Sequence, residues 1–401
     1  MKKSRLTALL LSLAILLCTL PVSAAKSSSW LAPKIKDAPG FADVTGTWCE
    51  NYVKTVYEGG LMEGKPTEKF DAASPLTGAQ ITVITARLHS LLRGGNGVLP
   101  APGEGEAWYQ PAVNYLNRHC EDDGVREILK RFDWTTSDFA NVPCTRLCFV
   151  AMLAGVLPEP LSAINEVSIV PDSTDTRVLA FYQAGILNGS DAYGTFGESA
   201  SLTRGAAAAM LARLADPDQR LTFTLKSFDL RRDVLCVEPE TVLLSVDGKD
   251  ISAELFASQL CTSLYQRKGG VDKALSDATQ FWCDYHAPFQ VLAEKKGISL
   301  SEEELAESAA YAESMDGCLG LSAAYWQQQS ESSKLNLKLR DLYCEADWKS
   351  GEYLYHSDLE KLSESLLQKA VPTDVLLSMD LRAVYQRLMV SPFIAWNFQN
   401  Q

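Results

Sequence analysis

Two arginines, Arg146 and Arg204, each follow a threonine at the predicted start of a helix. A planar guanidinium in that position, beside backbone N–H groups that the helix leaves unsatisfied, can hold a carboxylate bidentately. At the matching place in the first copy, Thr77 can accept a backbone N–H at the start of its helix. Trp48 and Trp108 open two other predicted helices, and an indole offers a flat apolar face with a polar edge on which a sugar ring can stack. Packing inside the protein is the expected role of both tryptophans. For the two arginines, ligand contact and simple solvation or salt bridging both stay open. Other constellations carry less. His119, Cys120, Cys144 and Cys148 lack zinc-ligand spacing, so no metal site is expected. Cys283 and His286 lie one helical turn apart without an orienting third group. The nucleophile-elbow, metalloprotease, P-loop and dinucleotide motifs are missing. The expectation is a protein that is not an enzyme and uses no cofactor.

The elements that must position these residues recur. Phe41-Ala-Asp-Val, Trp48, a Gly60-Leu-Met-Glu-Gly64 turn, Phe70 and Leu76-Thr77 form one copy; Gly185-Ile-Leu-Asn-Gly189, Phe196 and Leu202-Thr203-Arg204 form another. In both, the phenylalanine precedes the threonine by seven residues, and the threonine precedes Arg87-Leu88 or Arg213-Leu214 by ten. A middle copy keeps Trp108, Ala112, Val113, Tyr115 and Leu116. Cys120 stands where its glycine turn should begin, and a charged insertion, 121–138, precedes Phe139 and Cys144-Thr-Arg-Leu-Cys148. Each copy, at 41–93, 104–158 and 165–218, reads as helix, turn, loop and helix, and repeats of this length imply a modular array.

This unit resembles the S-layer homology (SLH) family, whose triplets attach bacterial proteins non-covalently to cell-wall polysaccharide. In that family a Thr-Arg-Ala-Glu-like signature opens the second helix and its arginine faces an anionic sugar. The aligned stretches here are Thr77-Gly-Ala-Gln80, Thr145-Arg-Leu-Cys148 and Thr203-Arg-Gly-Ala206, so the arginine survives twice and the glutamate in none. The resemblance implies a secondary wall polysaccharide, with pyruvate ketals as its anionic groups, as partner. It makes Trp48, Trp108, Arg146, Thr203 and Arg204 the candidate contacts. The middle copy is expected to keep the repeat fold and to lose its pocket.

Lys2, Lys3 and Arg5 followed by an apolar run from Leu6 to Leu20 and Pro21-Val-Ser-Ala24 read as a secretory signal with cleavage after Ala24. Leu17 before Cys18 argues against a lipoprotein. Residues 25–40 read as a linker. No later run reaches the roughly 18 apolar residues of a membrane span, and the end at Trp396–Gln401 shows no hydrophobic tail. Retention at the surface is therefore expected from a folded domain. A net charge of -13 makes nucleic acid and anionic membranes poor general partners. Nine cysteines would remain after cleavage without regular spacing, and most are expected to be buried thiols.

After a connector at 219–237 the composition changes. Thr241–Val246 and Lys249–Ile251 around Asp247-Gly248 form a predicted hairpin. Helices are predicted from Ser252, over 272–296 with a kink at Pro288, and near 302–329, 331–347, 357–369 and 373–390. Ser301–Glu304 and Ser357–Glu360 read as capping boxes. The order of Ser245-Val-Asp-Gly-Lys-Asp-Ile-Ser252, a long helix and Ala293-Glu-Lys-Lys-Gly-Ile-Ser-Leu-Ser-Glu-Glu-Glu-Leu305 resembles the chaperone region of SurA/PrsA-type exported foldases. About 30 residues after Ala370 are too few for a parvulin domain. The resemblance implies a non-catalytic cradle over 238–401 for unfolded exported polypeptides, lined by aromatics such as Trp326, Trp348 and Tyr355, although packing is the expected role of each alone. The fold class expected for the chain is mainly α: a three-repeat helical array followed by an α-rich domain with a small β-hairpin.

Overall fold

A computed structural model describes residues 35–66, 68–131, 141–268, 270–347, 352–355 and 357–399. The signal-like segment, Phe139, Trp348 and His356 lie outside the described residues, as do the side chains of Cys344, Tyr355 and Ser357. The chain is mainly α-helical, and the described residues form one three-stranded sheet and one two-stranded sheet.

Among the described residues, the first half is built from α1 (Glu50–Glu58), α2 (Gly78–Leu92), α3 (Gln110–His119), α4 (Asp123–Arg131), α5 (Arg146–Ala154), α6 (Thr176–Gln183) and α7 (Arg204–Ala215). The three repeat threonines are all N-caps. Thr77 accepts the Gln80 N–H while Gln80 returns a bond to the Thr77 N–H, a full capping box despite the lost glutamate. Thr145 accepts from Cys148 and Thr203 from Ala206. At the other end, α1 and α6 close in the same way. Gly60 and Gly185 take left-handed backbones (φ 70° and 72°), and the next N–H groups, of Leu61 and Ile186, reach back to the carbonyls of Val56 and Phe181 at 2.9 Å.

The residues just before the caps meet at one point. The Leu76 N–H donates to the Leu202 carbonyl (2.8 Å), Leu202 to Cys144 (2.9 Å), and Cys144 back to Leu76 (2.7 Å). A second cycle surrounds it: the first helical N–H of each repeat, from Gly78, Arg146 and Arg204, donates to Val142, Ala200 and Ser74 of a neighbouring repeat. Packing follows the same rotation, with α3 on α2, α6 on α5, and α1 back on α7. The array is therefore closed rather than open. One core fills it, and Leu61, Phe70, Leu76, Phe149, Phe181, Tyr182, Phe196 and Leu202 within it are at most 1% exposed.

A second core begins at Phe228. It lies among β1 (Val242–Val246), β2 (Lys249–Ser252), α8 (Ala253–Gln266), α9 (Val271–Tyr285), α10 (Ala287–Lys296), α11 (Glu302–Met315), α12 (Ala323–Tyr343), β3 (Cys344–Asp347), β4 (Glu352–Tyr355), α13 (Ser357–Gln368), β5 (Ala370–Pro372), α14 (Asp374–Leu377), α15 (Leu381–Leu388) and α16 (Pro392–Gln399). The expected hairpin forms, with Asp247 and Gly248 both at positive φ (51° and 78°) as a tight primed turn requires.

Four expectations change. The predicted helix over 302–329 is broken at Gly317–Gly320, where three of the four residues are left-handed. At Gly320 a Cβ would sit 2.4 Å from the Asp229 Cα, so only glycine fits. The chain separates fully between α9 and α10 at His286, with Pro288 in the first turn of α10. Strands β3, β4 and β5 were not foreseen; β5 pairs with β1 and completes the order β2-β1-β5. Trp326 is 8% exposed and packs against Tyr325 and Trp396, so it does not line a cradle. Of the eight described cysteine side chains, six are buried thiols.

The connector joins the two cores. The Leu319 N–H donates to the Pro171 carbonyl (3.0 Å) and the Tyr193 and Phe228 rings meet edge to face. Arg231, 7% exposed in its side chain, holds Asp229 at 2.7 Å, Glu254 and the Gly320 carbonyl. Here the buried charges are mutually paired, and removing one partner would leave the others uncompensated.

The α11 capping box predicts a pH signature. Lys338 and the Ser301 N–H, acting on the carboxylate, hold Glu304 far below the usual range, at about 2. A depressed carboxyl stabilises the fold above its unfolded value of 4.5, and that contribution is lost as pH falls through the folded one. In urea denaturation, E304Q is expected to be less stable than the parent by a constant amount above pH 5, with the difference vanishing towards pH 2.

Candidate functional site

The two aspartates at the head of repeats one and three fix the loops that follow. Asp43 accepts the N–H groups of Phe70 (2.9 Å) and Asp71 (2.7 Å), and Asp172 accepts those of Phe196 (2.8 Å) and Gly197 (2.7 Å). Burial pushes Asp43 up, but the N–H groups around it outweigh this and leave it below the ordinary aspartate value. Asp172, with no exposed surface, is raised because burial prevails over the same bonds. The middle repeat has Gly103 at the corresponding position, five residues before its tryptophan.

With the loop fixed, the Phe70 carbonyl accepts the Arg204 Nε (2.9 Å) and the Glu63 carbonyl accepts Nη2 (2.6 Å), while the guanidinium lies 4.7 Å over the Phe70 ring. Arg204 is 6% exposed. Among the described residues neither Arg204 nor Arg146 is in an ion pair, so both depart from the salt-bridged alternative. Burial lowers the pKa of each from the ordinary arginine value. Asp71 and Asp43 act on Arg204, and Asp172 on Arg146, only through space, so an anion that reached the remaining donors would be the first to pair with them directly.

A groove of about 190 Å³ opens beside Arg204. Its floor is the glycine turn of repeat one and the face of α2. Lys65, Arg87 and Arg204 contribute three cations against the one carboxylate of Glu63, and Trp108 forms a wall. Arg87 points Nη1 at the carbonyls of Gly60 and Leu61 (3.4 Å each) and lies 3.6 Å from Glu63. All three repeats thus build one groove: turn and α2 from the first, Trp108 from the second, Arg204 from the third.

Rotating by one repeat gives a second set. Arg213, the counterpart of Arg87, donates to the Ile186 carbonyl (3.0 Å) and lies over Tyr52 at 4.8 Å. Trp48 neighbours that ring, with centroids 6.4 Å apart. Arg146 stands 5.1 Å over Phe196, as Arg204 does over Phe70, and its Nε is buried without a hydrogen-bond partner among the described residues. The third position has Gly78 for the helix-start arginine and Gly155 ten residues after Thr145, so it holds neither cation. The middle repeat's losses are shared around the ring, since its own Trp108 walls the groove of repeat one and its Arg146 packs on Phe196 of repeat three.

The sequence-predicted residues fall as follows. Trp48 and Trp108 are 66% and 54% exposed, so the expectation that they pack in the core is wrong; each stands on the surface at the start of its repeat. Thr203 uses its hydroxyl to cap α7 and does not line the groove beside Arg204. Lys65, Arg87 and Asp43 were missed as site residues. Arg87 and Asp43 were visible in the repeat register, but nothing local to them indicates what they hold.

Elsewhere, burial, with a smaller push from Asp284, drives the Cys283 thiol up to about 11, and burial drives His286 down to about 4. That is the reverse of an activated thiolate–imidazolium pair. His119 lies against Tyr115, and no group of three metal-ligating side chains is assembled among the described residues. No helix among them is long and apolar enough to cross a membrane.

The S-layer homology domain family matches residues 40–82, which span Asp43, the glycine turn, Phe70 and the capped start of α2. This stretch is similar to the SLH domain, a class of module that binds cell-wall polysaccharide at bacterial surfaces. No curated protein and no solved structure matches the chain.

Replacing Asp43 by alanine leaves the Phe70 and Asp71 N–H groups without their acceptor and frees the carbonyl that aims Arg204. At about 1.5–3 kcal/mol for each hydrogen bond to a charged group, with water replacing part of it at this half-exposed position, a loss of about 2–4 kcal/mol is expected in chemical denaturation. Because the Asp43 carboxyl is depressed, the difference from the parent should fade as pH drops below its ordinary value of 3.8.

Proposed function

We propose that the protein is exported, docks non-covalently on an anionic secondary cell-wall polysaccharide through the two arginine grooves, and presents the α-rich domain for binding polypeptide at the wall. The observation that carries the docking reading is the groove of Lys65, Arg87, Arg204 and the exposed Trp108, in which the buried Arg204 guanidinium is in no ion pair among the described residues. A carboxylate or pyruvate ketal would take the free donors of Arg204, and a sugar face would lie on the indole. The cationic groove also stands out against a chain of net charge -13, which favours anionic sugar there and disfavours nucleic acid elsewhere. The polypeptide reading rests on β5, an edge strand with Val371 61% exposed and with Val375 and Leu377 exposed beside it. An extended chain can add to such an edge by backbone pairing. The protein acts by binding and performs no chemistry on its partners.

Co-sedimentation with purified sacculi, before and after chemical removal of the secondary polysaccharide, tests the anchor. Binding by the chain without residues 1–24 should disappear with the polysaccharide. Arg204→Ala is expected to weaken it about 10- to 100-fold, the worth of a charged hydrogen bond of 1.5–3 kcal/mol. Trp108→Ala, which empties no core, should weaken it several-fold with unchanged thermal unfolding. Binding that survives polysaccharide removal would reject the anchor. For the second domain, the protein should slow aggregation of a reduced, unfolding client, and Val371→Asp should abolish that effect; equal protection by the variant would reject the β5 edge as the client site.

A further inference from the structure

One cavity is used by neither the arginine grooves nor the β5 edge. It opens between α8, α9 and α12, with a volume of about 400 Å³, inside the range of small-molecule sites. On α9, Phe281, Trp282 and Tyr285 form an aromatic stripe. Phe281 and Tyr285 are 38% and 40% exposed with their rings 4.7 Å apart, and Trp282 is stacked on His286 at 4.6 Å. Facing them, Gln329, Ser333 and Asn336 project from α12 at successive turns. The Asn336 amide nitrogen is fixed by the Tyr285 carbonyl at 2.8 Å, which turns its oxygen outward as an acceptor. Gln329 and Ser333 make no side-chain hydrogen bond among the described residues. Ser258 and Gln259 of α8 close the third side.

Ser333 is exposed and Gln329 and Asn336 are half-buried, so the polar stripe faces the aromatic one across an open, water-filled groove, where a ligand's hydroxyl groups can replace water on the amides and the hydroxyl. No Asp, Glu, Lys or Arg lines the cavity, and burial keeps His286 neutral at physiological pH. A charged ligand would find no counter-ion. A peptide would find no strand edge, because all three walls are helices whose backbone groups are already paired. What the cavity offers is flat aromatic faces beside side-chain amides and hydroxyls, the combination that suits C–H faces and vicinal hydroxyl groups.

We propose that the cavity between α8, α9 and α12 binds an uncharged saccharide, with Tyr285 and Phe281 under the sugar face and Gln329, Ser333 and Asn336 on its hydroxyl groups. It extends the docking reading without depending on it: the arginine grooves take anionic units and this site takes neutral ones.

Saturation-transfer NMR and calorimetry on the full chain, with maltotriose, cellotriose and tri-N-acetylchitotriose as probes, test this. At least one trisaccharide should bind. Tyr285→Ala and Asn336→Ala should each weaken it by about tenfold or more, to the same extent whether Arg204 is present or replaced by alanine. Leu305→Ala, exposed on α11 outside the cavity, should bind like the parent, and circular dichroism should show all variants folded. Failure of all three trisaccharides to bind overturns the proposal, as does binding that survives the Tyr285→Ala, Asn336→Ala double variant. A blocked hexapeptide rich in valine and phenylalanine that binds here in place of the sugars would overturn it in favour of a polypeptide site. Sedimentation with sacculi is repeated in the Tyr285→Ala, Asn336→Ala double variant, in which this site is closed and only the anchor is read, so the two readings fail separately.

Discussion

Everything in the first half of the molecule depends on three backbone hydrogen bonds that run in a circle. Leu76, Cys144 and Leu202 each donate to one partner and accept from the other, so each repeat is held by both of the others. Because these residues immediately precede Thr77, Thr145 and Thr203, the circle also sets where the three second helices begin. A helix start whose N–H groups and capping threonine are fixed at a common centre points its first side chain outward into the adjoining repeat. Arg146 and Arg204 are those side chains, and their meeting with Phe196 and Phe70 follows from the closure.

The charges of the grooves are tolerated for a related reason. Each buried guanidinium is met by carbonyl oxygens or an aromatic face rather than by a carboxylate. The carbonyls satisfy donors of Arg204, and the ring faces hold both guanidinium groups, without neutralising the charge, so the positive field survives at the surface. The two aspartates act one step behind, on backbone N–H groups, where they fix the loop and stay out of the groove. An acidic protein can in this way keep small cationic sites whose sign differs from that of its average surface.

What could be read from the sequence was local. The Thr77 N-cap, the Asp247-Gly248 hairpin and the Ser301–Glu304 capping box depend on residues at most three apart, and each appears in the structure. The missed features depend on distance. Strand β5 exists because β1, about 125 residues earlier, offers it an edge. The break at Gly317–Gly320 reflects the approach of Asp229, and the contacts of Arg204 span 134 and 141 residues. The tryptophans were misjudged for the opposite reason. Their helical spacing is compatible with core, but they stand just before α1 and α3, outside the stripes that Val53 and Val56, or Ala112 and Leu116, turn inward.

Closure also limits how such a module can change in number. An open stack of repeats tolerates the gain or loss of one unit, since only its neighbours notice. In a circle of three, a fourth unit has no donor or acceptor left to join, and removing one leaves two repeats with a broken circuit and every groove short of a wall. Gene duplication can therefore enlarge this anchor only by copying the whole triplet, and decay can proceed only by erosion of single side chains inside an intact ring. The Gly78 and Gly155 position is what such erosion looks like: one groove gone silent, its scaffold retained because the other two need it.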